Sequence, residues 1–219
     1  MKISLRDILK TSWGQFKINY KFLLPFFLVV LVASLALTIL SGDHFLSLSN
    51  LVAMLLYPIL YYSVTKVSLK TIRGEKIEFK NIFEGLDQKT YISFLGVSVS
   101  ITLAMFALGA LIALISFAVP FIGPIIGILI FILLFLYFIG VMFFPYYRLI
   151  DVRGKFTDAL KYSFGLAKGN RLFLVKFLIF ILLLNIAGVI VLAVGLLVTI
   201  PISSLAMAHV YEKIKLRVN

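Results

Sequence analysis

Charged side chains, which could carry acid–base chemistry or move an ion, are absent from the interiors of the long apolar runs in this sequence. Those interiors hold no Asp, Glu, Lys or Arg, and Lys66, Arg148 and Lys176 lie near the ends of the runs. Because buried ionisable residues mark ion and proton paths in membrane proteins, an ion-coupled transporter is disfavoured. No acid/base pair or nucleophile constellation is visible either, so the sequence predicts no catalytic residue and a non-enzymatic protein.

The two histidines have few neighbours that could help them to bind a metal ion. His44 follows Asp43, and His209 precedes Glu212 by three residues. A zinc site needs three or four convergent ligands, and the chain contains no cysteine. We therefore predict no metal and no cofactor, and we expect the histidines to be structural residues with hydrogen bonds.

Asn185 is the most polar side chain deep in an apolar run. It could line a substrate cavity, but a hydrogen bond between helices is the commoner role for such a residue. Small residues at four-residue spacing, such as Gly96 and Ser100 or Gly123 and Gly127, let helices approach closely. We expect these residues to pack helices within one protomer rather than to form a dimer.

The elements that must carry these residues are membrane-spanning helices. Hydrophobic residues make up 62% of the 219 residues, only 14% are charged, and the mean hydropathy is +1.12. The apolar runs reach about 20 residues, the length that crosses ~30 Å of hydrocarbon. We predict an all-α polytopic transmembrane helical bundle, with six spans in three hairpins, each preceded by a cytoplasmic amphipathic segment. The predicted spans are Phe22–Ser41, Phe45–Thr65, Tyr91–Phe117, Phe121–Tyr147, Leu172–Ala193 and Leu196–Ile214.

The last two spans form one apolar stretch, Leu172–Tyr211, whose only breaks are Gly188, Gly195 and Pro201. At 1.5 Å per residue this stretch is about 60 Å long, which is enough for two crossings. We predict two spans with a tight turn near Gly195, and a partly re-entrant segment stays open as the alternative.

The basic residues are confined to one side of the predicted topology. All 21 Lys and Arg lie in the leader, the second-to-third connection, the fourth-to-fifth connection and the tail, while the three opposite loops hold none. Short loops orient spans by this bias, so we predict that both termini are cytoplasmic. The net charge of +12 does not indicate nucleic acid, because no Arg-rich helix or aromatic–basic motif accompanies it.

Two basic segments repeat. Asp7–Leu23 aligns without a gap to Asp158–Leu174, and nine of the 17 positions are identical. A fainter third copy covers Glu78–Tyr91. We therefore divide the single membrane domain into three parallel units, 1–66, 67–148 and 149–219.

The first copy has the pattern of a helix that lies in the membrane interface. Leu5, Leu9, Phe16 and Tyr20 share one face with Trp13 at its edge, and lysines flank them. A start-transfer flank without a role of its own is the alternative. The predicted headgroup-binding residues are Lys10, Lys17, Lys161, Lys168 and Arg153, and the predicted structural polar residues are Asn19, Asn170 and Asn185.

Several motifs carry a resemblance to a known family. They are Asp7–x–Leu–Lys–x–Ser–Trp13, Arg153–Gly154 followed by Ala159–Phe164, and the closing run Gly195–Pro201 with Tyr211 beyond it. Together they resemble a broad group of uncharacterised bacterial integral-membrane proteins, similar to the membrane domain fused to some Gram-positive glycerophosphoryl diester phosphodiesterases. The resemblance implies six helices and a bacterial plasma membrane. It supplies no catalytic residue, because the phosphodiesterase chemistry belongs to a separate soluble domain.

The function that these patterns favour is contact with anionic membrane lipids, or with another membrane protein, through the basic cytoplasmic segments. The alternative is a carrier or scramblase-like protein for a lipid or another hydrophobic molecule. A continuous headgroup-sized polar cavity would favour the carrier, and a closed helical core with a basic rim would favour the binder. The sequence leaves the oligomeric state open.

Overall fold

The computed structural model describes residues 4–40, 48–119, 121–191 and 194–218, and this part of the chain is helical apart from turns and short connections. One 3₁₀ turn, Phe79–Asn81, lies in the connection between the second and third helices. The α-helices are α1 (Leu5–Leu40), α2 (Leu48–Arg73), α3 (Gln88–Ala118), α4 (Gly123–Asp151), α5 (Phe156–Ala167), α6 (Arg171–Ile190) and α7 (Leu196–Val218).

Four of the described helices are long and apolar enough to span a membrane: α1, α2, α3 and α6. A further apolar stretch, Gly123–Leu134, begins α4. Large apolar side chains point outwards along these helices; Phe106, for example, is 70% exposed and Leu182 is 60% exposed. A water-soluble protein does not expose so continuous an apolar surface, whereas lipid tails solvate it. The chain is a membrane-embedded helical protein.

The described part of each predicted span lies almost entirely in a helix, while residues 41, 45–47 and 192–193 of the predicted spans lie outside the described residues. The predicted interruption near Gly195 is confirmed. α6 ends at Ile190, and α7 begins at Leu196. The two helices meet closely at their glycines, since a Cβ atom added to Gly195 would lie 2.5 Å from the carbonyl oxygen of Gly188. Glycine is required at this contact because any side chain would push the two helices apart.

α7 is the central helix of the bundle, and it packs against α1, α2, α6, α4 and α5. Leu205, Ala206, Ala208, Val210 and Tyr211 are each 0% exposed. Because α7 is largely covered by protein, polar residues such as Ser203 and His209 are buried among the other helices.

The two repeat copies differ in how they join the next helix. The first copy belongs to one continuous helix, α1, which runs for 36 residues, so no break divides the predicted amphipathic segment from the first predicted span. The second copy is a separate 12-residue helix, α5, which is followed by Gly169 at φ +85°. Ile18 occupies the position equivalent to Gly169, and a β-branched residue does not adopt positive φ readily.

The faint third copy also differs from the prediction. Glu78–Tyr91 contains the 3₁₀ turn, an irregular stretch and the first turn of α3 rather than an amphipathic helix. Its Gly85 has φ +85°, a conformation that favours glycine.

The predicted close helix contacts are present at three glycines. A Cβ atom on Gly123 would lie 2.5 Å from the carbonyl oxygen of Ile115, so α3 and α4 touch at the backbone. Gly127 faces Ile112, and Gly96 faces the ring of Phe156. In contrast, Gly14 and Gly165 have open space around them, so close packing does not explain the repeated glycine.

Candidate functional site

The two repeat copies are held by the same buried face. Ile8, Ser12 and Phe16 are buried in the first copy. The equivalent positions of the second copy are also buried, namely Ala159, Ser163 and Ala167. The face predicted from the sequence was rotated from this one, because Tyr20 is 44% exposed and Trp13 is 45% exposed. Each buried face has a serine at its centre. Its hydroxyl group lies where a lipid-facing segment would carry an apolar side chain.

Because these faces are buried, the repeated lysines point away from the bundle. Lys10 and Lys17 lie about 140–160° around the helix from Ser12, given 3.6 residues per turn. Both lysines are exposed, and so are their equivalents Lys161 and Lys168. The Lys17 ammonium also lies 5.7 Å from the centre of the Trp13 ring, within reach of a cation–π interaction.

The fold does not gather the four lysines into one cluster. α1 packs chiefly on α7 and α2, whereas α5 packs chiefly on α4 and α3. We call the exposed lysines of each copy a basic ridge: Lys10 and Lys17 form the first, and Lys161 and Lys168 form the second. Arg153 lies in the connection between α4 and α5.

The three asparagines have structural contacts. Asn185 donates a hydrogen bond to the Ser203 hydroxyl at 2.9 Å, which joins α6 to α7 as expected from the sequence. Asn19 bonds within its own helix, to the carbonyl oxygen of Gln15 at 3.0 Å. Asn170 lies at the junction between α5 and α6, and its amide reaches the Leu166 carbonyl oxygen at 3.4 Å.

His209 is buried, at 7% exposure, and its Nδ1 atom has no hydrogen-bond partner in the described part of the chain. The expected hydrogen bond at this ring nitrogen is therefore not seen. His44 lies outside the described residues.

A polar pocket of about 300 Å³ opens at the basic end of the helices. Its first wall is one face of α2, where Tyr62, Lys66 and Lys70 recur every four residues and Arg73 follows. The connection between α2 and α3 forms the second wall, and the end of α4 with Arg153 forms the third. We call this space the basic pocket.

The connection between α2 and α3 is fastened to α2 by two side chains. The Tyr62 hydroxyl donates to the Glu84 carbonyl oxygen at 2.8 Å. The Lys66 ammonium donates to the same carbonyl and, at 2.9 Å, to that of Asn81. A Cβ atom on Gly85 would lie 2.6 Å from an Arg153 guanidinium nitrogen, so glycine lets this cation approach the wall.

The cations of the basic pocket outnumber its carboxylates. It is lined by Lys66, Lys70, Arg73 and Arg153 against Glu75 and Glu84. Lys66 is only 8% exposed, yet neither it nor Lys70 forms an ion pair with any carboxylate in the described residues. Removing an ammonium from water without a counter-charge is unfavourable, so the pocket has an excess of positive charge that an anion would offset.

Next to the basic pocket, a charge network joins three helices. Arg73 of α2 contacts Asp151 of α4 at 2.5 Å and also binds Glu212 of α7. Asp151 accepts further hydrogen bonds from Tyr211 at 2.8 Å and Lys215 at 2.6 Å. Burial would raise the pKa of Asp151, but the hydrogen bonds from Lys215, Arg73 and Tyr211 outweigh it and hold the pKa below its usual value.

Sequence reasoning singled out Arg153 but missed the other cations of the pocket and the whole network. Lys66, Lys70 and Arg73 were counted only as topology-determining cations, although their spacing places them on one side of a helix. That spacing could have indicated from the sequence that these three cations form one cluster. The pairing of Asp151 with Lys215 could not be predicted from the sequence, because these residues are far apart along the chain and only the fold brings them together.

An apolar groove of about 390 Å³ lies further along α3, and a packed layer separates it from the basic pocket. Thr90, which lines the pocket, and Ala104, which lines the groove, lie on the same side of α3. Between them, Phe94 and Val97 are both 0% exposed, and they pack in a cluster with Tyr146. Among the described residues, the two spaces do not form a continuous path.

Comparison with known protein families, curated proteins and solved structures found no match. Fold and site alone therefore define the class: a membrane-embedded helical protein with a cationic pocket and two basic ridges at the ends of its apolar helices.

Proposed function

We propose that this chain is a non-enzymatic protein of the bacterial plasma membrane that binds anionic lipid headgroups at its cytoplasmic side. In this proposal α1, α2, α3, α4, α6 and α7 all cross the membrane, and both termini are cytoplasmic. The placement of every Lys and Arg at one end of the apolar runs supports this orientation.

The observation that carries the proposal is the shared buried face of the two repeat copies. It fixes both ridges with their lysines outwards, on the basic side of the apolar helices. A lysine near an anionic membrane surface contributes about 1 kcal/mol of attraction, and this attraction falls off within a Debye length.

Because α1 is continuous, Lys17 and Lys10 are expected to contribute unequally to headgroup binding. If hydrocarbon begins at Phe22, Lys17 lies about 8 Å above it and Lys10 about 18 Å above it, at 1.5 Å per residue along an upright helix. Headgroups occupy roughly 5–8 Å on each side of the hydrocarbon. Lys17 therefore reaches the headgroup layer, and Lys10 lies beyond it.

The carrier alternative is less well supported, because the layer around Phe94 and Val97 closes the space between pocket and groove. A carrier would need this layer to open in each transport cycle.

The test replaces Lys10, Lys17, Lys161 and Lys168 with Gln and measures lipids by native mass spectrometry after incubation with phosphatidylglycerol or phosphatidylcholine. We expect the phosphatidylglycerol adducts of the variant to decrease several-fold at low salt. Its weak binding of phosphatidylcholine should not change. Among single variants, Lys17→Gln should lose more phosphatidylglycerol binding than Lys10→Gln.

The matched control, Lys76→Gln with Lys80→Gln, removes two exposed cations from the connection between α2 and α3. Unchanged phosphatidylglycerol binding in the fourfold variant, with normal yield, would contradict the proposal.

A further inference from the structure

We infer that the basic pocket is a binding site for a single phosphate group, held by Lys66, Lys70 and Arg153. This inference rests on the proposed lipid-binding function and adds to it a specific site, distinct from the diffuse attraction of the two ridges.

The first support is the state of Lys66. Its ammonium has three hydrogens, and two of them bind the carbonyl oxygens of Asn81 and Glu84. Carbonyl groups orient an ammonium but do not neutralise it. With no carboxylate in ion-pair distance among the described residues, a buried cation next to a polar cavity favours an anion there.

The second support is the arrangement of the rim. Arg153 is 64% exposed at its side chain, and its contact with Asp87 is 4.0 Å long, so the guanidinium remains available for a bidentate contact with phosphate. Gly85 keeps the space beside the guanidinium clear, because any other residue would place a Cβ atom in it. Arg73 is not part of the inferred site, since Asp151 and Glu212 already occupy its guanidinium.

The two carboxylates of the pocket narrow the range of ligands. Glu75 and Glu84 are both exposed, so water screens their charges better than that of buried Lys66. They leave the pocket with a modest rather than a large positive excess. This balance fits one phosphate group rather than a polyphosphate or a nucleic acid backbone.

The height of the pocket suits the phosphate of a lipid. Lys66 follows the predicted end of the second span by one residue, and Arg73 lies about 10 Å further along the helix axis. A lipid phosphate lies at this level, and a soluble phosphate ester could also reach the pocket from the cytoplasm. The shared chemistry is the phosphate group, and the experiment separates the two sources.

The test uses the full chain in mild detergent, with phosphatidic acid, diacylglycerol and inorganic phosphate as probes, and counts adducts by native mass spectrometry. We expect one phosphatidic acid to stay bound at about 1 M salt, where the Debye length is only about 3 Å, and no diacylglycerol to do so. The Lys70→Gln, Arg153→Gln variant should bind this lipid at least tenfold more weakly. The Lys76→Gln, Lys80→Gln variant should bind it normally.

Competition with excess inorganic phosphate distinguishes a lipid ligand from a soluble phosphate ester. Displacement of the lipid by phosphate would support a soluble ligand, and failure to displace it would support the lipid. The conservative variant Lys70→Arg keeps the charge at position 70 and leaves the Arg153 guanidinium in place, so it should retain binding, which guards against a mere folding defect. Equal binding of phosphatidic acid by the two Gln variants would overturn the pocket as the site. The fourfold ridge variant should keep this salt-resistant lipid, so failure of the ridge proposal and failure of the pocket inference are distinguishable.

Discussion

At the scale of single residues, Asp151 links α4 to two other helices. Its side chain is 5% exposed and accepts hydrogen bonds from Arg73, Tyr211 and Lys215. Glu78 offers a matched comparison, because it also binds two cations, Lys76 and Lys80, but at the surface.

We expect Asp151→Asn to destabilise the protein by about 2–4 kcal/mol, because it leaves Arg73 and Lys215 with less counter-charge in a partly buried position. Glu78→Gln should change stability little, since exposed ion pairs contribute little. Denaturation in detergent micelles measures both. An equal, small effect of the two substitutions would show that the network around Asp151 does not stabilise the bundle.

The lowered pKa of Asp151 also gives this effect a pH dependence. A carboxyl group whose folded-state pKa lies below its unfolded value of about 3.9 stabilises the fold fully above that pH. The stabilisation is lost as the pH falls through the folded-state pKa. The stability difference between the native protein and Asp151→Asn should therefore be constant near neutrality and shrink below about pH 4. A difference that grew on acidification would contradict this assignment.

At the scale of elements, the two repeat copies differ at the point where each meets the next helix. Gly169 has φ +85° at the end of α5, whereas Ile18 lies within continuous α1 at the equivalent position. Gly165 lies only four residues before Gly169, inside α5 and with open space around it.

These two glycines should respond to alanine in opposite directions. Gly165→Ala should stabilise the protein by roughly 0.5–1 kcal/mol, because alanine favours helix and its Cβ meets nothing. Gly169→Ala should destabilise it by roughly 1 kcal/mol, because alanine resists positive φ. Thermal unfolding in detergent measures both changes. Stabilisation by Gly169→Ala would mean that α5 and α6 can join into one helix, as the first copy does in α1.

The helices themselves were largely predictable, and the junctions were not. Runs of apolar residues locate the helices because hydropathy alone distinguishes a lipid-solvated segment from its connections. The break near Gly195 was predictable for a different reason, because the continuous apolar stretch is long enough for two crossings and glycine is one of its few breaks. The continuity of α1 was not predicted, because the nine identities out of 17 in the repeat drew attention away from differences such as Ile18 against Gly169, which has a positive φ.

The orientation of the amphipathic segment was also mispredicted, and for a physical reason. Besides Phe16, the pattern of apolar residues pointed to Leu5, Leu9 and Tyr20 as the apolar side. Instead Ile8, Ser12 and Phe16 are buried, because the segment packs on protein rather than on lipid. A small hydroxyl such as that of Ser12 fits a close helix contact, which a hydropathy pattern does not register.

At the scale of the whole molecule, cations with different roles look alike in the sequence. Lys66 fastens a connection to α2, Arg73 joins three helices and Lys17 projects from a ridge, although all three obey the same charge bias. Counting charges on each side gave the predicted orientation. It could not give the basic pocket, because Arg153 approaches α2 only through the packing of α4 against α2 and α3.

Both lipid-binding proposals depend on which side of the membrane the basic end of the bundle faces. The chain contains no cysteine, so single introduced cysteines report their own positions without background. Thr11 and Thr157 are exposed at the basic end, whereas Ser12 is fully buried and unsuitable. Val119 and Val194 are exposed at the opposite end.

The most direct measurement is the labelling of these four single-cysteine variants by a membrane-impermeant thiol reagent in intact cells. With both termini in the cytoplasm, Val119→Cys and Val194→Cys should react in intact cells, while Thr11→Cys and Thr157→Cys should react only after permeabilisation. Labelling of Thr11→Cys and Thr157→Cys in intact cells, with the other two variants protected, would place the basic end outside and contradict the account.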